Sequence, residues 1–95
     1  MKAEVFGQTP DGYKAVFDEL APLYQAAPGF VAHFSHAIEG GWCVMDIWTS
    51  KDAFQNFFSQ HVVHRLPTTV RPKISFQALH DVLSVSSETV LVSDA

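Results

Sequence analysis

Two short runs hold the side chains best suited to chemistry. His33 and Ser35 lie in FVAHFSHAI, residues 30–38, and Asp46 lies in GWCVMDIW, residues 41–48, between Trp42 and Trp48. An imidazole beside a carboxylate gains basicity and a fixed tautomer, which suits proton transfer near neutral pH. Two indoles on either side of that pair offer flat apolar walls for an aromatic guest. A carboxylate set among apolar neighbours costs several kcal/mol unless it finds donors. Asp46 therefore predicts a partner, and His33 and Ser35 are the nearest candidates.

These residues need strands to bring them together. FVAHFSHAI has β-branched and aromatic content without helical spacing, and residues 42–49 read as its return strand. Gly40-Gly41 predicts a two-residue hairpin turn, because glycine takes positive φ at both central positions without strain. On that turn Glu39 faces Trp42, Ala37 faces Val44, Ser35 faces Asp46 and His33 faces Trp48, all on one side of the sheet. The other side takes Ile38 with Cys43, His36 with Met45, Phe34 with Ile47 and Ala32 with Thr49. The first set is the reactive one, and the second is mostly filler. Both are apolar enough to need cover.

The remaining elements surround this hairpin. KAEVF, residues 2–6, reads as a short strand. Tyr13, Val16, Phe17, Leu20, Leu23, Tyr24 and Ala27 form one stripe of an amphipathic helix over residues 10–27. Thr9 is its N-cap, and Pro22 is expected to kink or split it. Ser50 caps a second helix with the stripe Ala53, Phe54, Phe57, Phe58, His61 and Val62, running to about Arg65. Residues 74–83, ISFQALHDVL, read as a fourth strand. Strand-helix-strand-strand-helix-strand is the α+β, ferredoxin-like order, a four-stranded antiparallel sheet with both helices on one face. The domain spans 1–83, and 84–95 is a C-terminal tail with a Val-Leu-Val run at 90–92, available to touch a partner subunit. Helices on one side leave the other apolar side bare, which predicts a homodimer packed sheet to sheet.

Composition narrows the partners. Of 95 residues 47% are hydrophobic and 13% aromatic, and the net charge is −4 with only six Lys and Arg. No basic stripe exists to neutralise phosphates, so neither nucleic acid nor an anionic membrane is expected. The single Cys43 forms no internal disulfide, and MKAEVFGQTP has no apolar run of signal-peptide or membrane-span length, so a cytoplasmic protein is expected. No glycine-rich phosphate loop or nucleotide fingerprint is present, so no cofactor is expected. His61 and His64 stand three apart on a helix without a supporting Cys or Glu and read as a surface pair, so no metal is expected. His36 reads as an interface histidine and Cys43 as an inert core thiol. His80 keeps apolar company with Phe76, Ala78 and Val82 on one parity of its predicted strand, which leans towards burial, where a neutral His is often structural.

APGFVAH at 27–33, GWCVMDIW at 41–48, SKDAFQNFF at 50–58 and ALHDVL at 78–83 resemble the small dimeric α/β-barrel proteins of the antibiotic biosynthesis monooxygenase-like superfamily, over about residues 6–83. That resemblance implies two sheets paired into a barrel and a pocket inside each subunit, between sheet and helices. It implies cofactor-free oxygenation of aromatic polyketides, haem degradation or small-molecule isomerisation. Family oxygenases and haem degraders use an Asn near the end of the first strand with a Trp and a His or Tyr. Here AEVF carries no Asn, and the pocket candidates that remain are Trp48, His33 and His80. The expectation is a cofactor-independent, monooxygenase-like enzyme acting on a small aromatic or polyketide-like molecule. His33, Asp46 and His80 are its catalytic candidates, and Trp42, Trp48, Ser35, Phe54 and Phe58 its substrate contacts. The alternatives are a non-catalytic dimer that binds haem or a pathway intermediate, and an isomerase or cyclase on the same fold.

Overall fold

The computed structural model describes residues 1–83; the tail 84–95, with its Val-Leu-Val run, lies outside the described residues. Strand β1 (Lys2–Phe6) leads into helix α1 (Pro10–Ala26), then strands β2 (Phe30–Ile38) and β3 (Gly41–Trp48), helix α2 (Lys51–Phe57) and strand β4 (Arg71–Ser75). The four strands form one antiparallel sheet in the order β2-β3-β1-β4, compatible with a ferredoxin-like fold. Among the described residues no helix is long and apolar enough to cross a membrane.

Local chemistry explains the boundaries. Thr9 Oγ1 accepts from the Gly12 amide at 3.0 Å, and Pro10 occupies the first turn where its missing N–H has no partner to lose. Ser50 Oγ accepts from the Ala53 amide at 3.1 Å to start α2. Pro22 neither splits nor ends α1, which is assigned unbroken from Pro10 to Ala26. After Phe57 the second helix changes pitch instead of stopping, with a π-helical turn over Phe58–Val62 and a 3₁₀ turn over Val63–Arg65.

Two expectations need correction. The hairpin turn is Glu39-Gly40 rather than Gly40-Gly41, and only Gly40 has positive φ, +78°. Gly41 belongs to β3 for another reason: a Cβ there would collide with the Val5 carbonyl oxygen of β1. The register moves by two residues, so that His33 pairs with Asp46, Ser35 with Val44 and Ala37 with Trp42. Side chains alternate with period two, so a two-residue shift leaves every one of these residues on its expected face. A β-bulge between Phe30 and Ala32 then turns Phe30 to pair with Trp48.

The second correction concerns the last strand, which is Arg71–Ser75 rather than 74–83. Its one neighbour is β1, whose five residues are all matched, from Lys2 with Ser75 to Phe6 with Arg71. Pro72 is tolerated because β4 is an edge strand. Residues 76–83 leave the sheet, and Phe76 packs edge-on against Phe54 at 5.5 Å between ring centres.

The core divides in two. Ala3, Val5 and Val70 form one buried cluster with Met1, Val44 and Ile74; Leu20, Tyr24 and Phe57 form the other with Val16, Leu23, Phe30, Trp48 and Val62. α1 packs mainly on β2 and α2 on β3, so the helices cover the β2-β3 half of the sheet better than the β1-β4 half. A cavity of about 80 Å³ lies between the clusters, walled by both.

Candidate active site

The core face of the hairpin carries a hydrogen-bonded chain of side chains. His33 and Asp46 sit directly opposite each other on β2 and β3, with His33 Nδ1 2.6 Å from Asp46 Oδ1. The second carboxylate oxygen, Oδ2, accepts from Trp48 Nε1 at 3.1 Å. Trp48 is two residues beyond Asp46 on the same strand face, so this bond follows from β periodicity. The Asp46 side chain is 0% exposed and that of His33 9%. A buried carboxylate with one donor on each oxygen meets the requirement that the sequence posed.

At the far side of the imidazole, the hydroxyl of Tyr13 lies 2.6 Å from His33 Nε2. The phenol and imidazole rings are 8° from coplanar with centres 6.2 Å apart. They meet end to end, so the hydroxyl lies near the in-plane lone pair of Nε2. A carboxylate only accepts, so Nδ1 carries a proton and donates to Asp46. In the neutral imidazole Nε2 is therefore the acceptor, and Tyr13 donates to it. The resulting order is Tyr13 O–H to Nε2 of His33, and Nδ1–H of His33 to Asp46. A third residue thus orients the base, an arrangement used elsewhere to activate hydroxyl groups.

Electrostatics keep the phenols protonated. Burial raises Tyr13 above its ordinary value of 10.0, with the negative charge of Asp46 acting in the same direction and the Ser35 hydroxyl against it. Tyr24 rises much further, through burial first, then Asp46 and Tyr13. Tyr24 also packs on His33 at 4.9 Å and Phe57 at 4.4 Å between ring centres, which fixes the imidazole from the helix side.

The cavity borders this chain. Tyr13, His33, Trp42, Phe54 and Phe58 are among its walls, together with Gln8 and a surround of aliphatic side chains. Trp42 stacks on Tyr13 at 4.9 Å and 24°. Trp48 is outside this cavity; it lines, with Asp46 and Phe76, an open groove beside residues 76–82. Ser35 stands beside Tyr13 without bonding Asp46, because the observed register places Val44 opposite it. His80 is exposed beyond the end of β4 and belongs to neither the cavity nor the polar chain. The strand expected to carry it inward ends at Ser75.

Tyr13 and Tyr24 are the members that sequence reasoning passed over, since both were absorbed into the apolar stripe of α1. Their signal was the hydroxyl itself, which takes a partner when it is buried. Among the described residues no three His, Cys, Asp or Glu side chains converge as metal ligands. Comparison with known proteins finds no matching family model, no matching curated protein and no matching solved structure.

Proposed function

We propose that this chain is a cytoplasmic homodimeric enzyme that removes a proton from a small apolar molecule in its interior cavity. The observation that carries this reading is the bonded order Tyr13, His33, Asp46. As the Tyr13 oxygen accepts the substrate proton, the phenol's own proton passes to Nε2, and the imidazolium so formed is held by Asp46 through Nδ1. The substrate keeps the electron pair as a carbanion, enolate or phenolate. Returning the proton to another atom gives an isomerase or cyclase. Capture of the carbanion by dioxygen gives a hydroperoxide, and loss of the second hydrogen from that carbon with departure of water leaves C=O; the substrate CH₂ then supplies every electron, as in the cofactor-independent monooxygenase that the sequence resemblance suggests.

Size favours a small substrate. A cavity of about 80 Å³ compares with ~150 Å³ for an apolar cavity that admits benzene. A polycyclic molecule or haem would need the helices to move apart, so a compact ketone is the better match. A second reading, a ligand-binding dimer without chemistry, draws support from the apolar walls. The dimer reading rests on the sheet face turned away from the helices, where Phe34 is 47% exposed beside Met45 and Ile47.

Deuterium exchange tests proton removal without knowledge of the natural substrate. Small ketones such as acetone incubated with the protein in D₂O should exchange carbon-bound protons faster than in buffer. The rate should fall to that of buffer in His33→Ala and Tyr13→Phe variants that keep the wild-type circular dichroism. Binding without exchange would favour the ligand-binding reading, and exchange undiminished in His33→Ala would remove the imidazole from the mechanism.

A further inference from the structure

Two indoles share the core face of β3, and they differ in one respect. Trp48 Nε1 donates to Asp46, whereas Trp42 Nε1 is buried without any hydrogen-bond partner. Such orphan donors are rare because desolvating an N–H without compensation is costly. This one belongs to a residue of the cavity wall, and its ring stacks on Tyr13, the outer member of the proton chain.

We infer that Trp42 is the polar anchor of the cavity, its indole N–H donating to the carbonyl oxygen of a small neutral ketone. The inference rests on the proton-transfer reading and names the substrate class for that same site. Charge argues for neutrality, since no Lys or Arg side chain lines the cavity and the aliphatic walls would not repay desolvation of an anion. The chemistry argues for a carbonyl. When Tyr13 takes a proton from the carbon next to C=O, the electron pair moves to the oxygen, and a fixed N–H facing that oxygen stabilises the enolate more than the ketone. Tyr13 and Trp42 would then meet adjacent atoms of one substrate, the phenol at the C–H and the indole at the oxygen.

The test uses acetone and 2-methylpropene, a pair that differs by replacement of C=O with C=CH₂. With ¹⁵N-labelled protein, the two indole N–H signals are assigned from a Trp48→Phe variant and followed during titration. Acetone should shift the Trp42 signal and bind about fivefold more tightly than the hydrocarbon, the preference expected of one net hydrogen bond. That preference should vanish in Trp42→Phe. Should Trp42→Phe fail to fold, the wild-type indole shift and the ketone preference decide the matter by themselves. Equal binding of both probes with a stationary Trp42 signal would overturn the anchor and leave the cavity reading intact. If neither probe binds, the cavity reading fails and the anchor with it.

Discussion

At the residue scale, the site is a single line of hydrogen bonds ending on a buried carboxylate, and its acid-base behaviour follows from burial. Both tyrosines of the chain lie at this site, and both are raised above the ordinary phenol value of 10.0. In the unfolded chain they ionise near that value, whereas the folded protein keeps its protons. The unfolded state thus binds fewer protons above pH 10, and stability falls as pH rises. The contribution is complete below pH 10 and is lost on the way up to the folded-state values. For the buried Tyr24 the slope is about 1.4 kcal/mol per pH unit. A spectrophotometric titration should therefore show less than half of the full tyrosinate band at pH 10 in the native protein, with the share of Tyr24 appearing only as the protein unfolds. A native protein that gives half of its full band at pH 10 would contradict the burial of both phenols.

At the element scale, strand periodicity made the site readable even where the register was misplaced. Placing the turn at Gly40-Gly41 misassigned every cross-strand pair, yet His33, Asp46, Trp42 and Trp48 all kept their face because the error was two residues. What could not be read was which pairs touch, since that depends on the close pass of β1 over Gly41. The end of β4 was hidden as well: the apolar run through residues 76–83 resembles a strand, but pairing with β1 ends at Ser75, opposite Lys2. The helix-borne tyrosines escaped notice because the apolar stripe that identifies α1 does not distinguish a phenol from a phenyl ring. The Gly41 reading makes a direct prediction. Gly41→Ala should lose about 1–3 kcal/mol, the usual range for overpacking, because its Cβ meets the rigid Val5 carbonyl. Thermal denaturation measures this, and an unchanged midpoint would mean that β1 does not pass so close.

At the scale of the whole molecule, one sheet face is covered by the helices and the other is left with Phe6 and Phe34 each nearly half exposed. Lys2, Glu4, Arg71 and Lys73 hold the β1-β4 side of that outer face, so the apolar patch is concentrated over β2 and β3. A second copy related by a two-fold axis would place patch on patch. Sedimentation equilibrium at micromolar concentration should give twice the mass of the chain, and Phe34→Glu should give one chain with its secondary structure kept. Wild-type protein sedimenting as a single chain would remove the paired sheets from the account. The cavity and the proton chain would survive that result, because His33, Asp46, Tyr13 and Trp48 all come from one polypeptide.

Proton transfer through His33 depends on the direction of its two hydrogen bonds, and long-range ¹H–¹⁵N correlation of the imidazole reads that direction without any substrate. With the ring neutral, Nδ1 should carry the proton, protected from exchange by its bond to Asp46, and Nε2 should be unprotonated and accept from Tyr13. A neutral ring carrying its proton on Nε2, or one exchanging freely between the two forms, would contradict it.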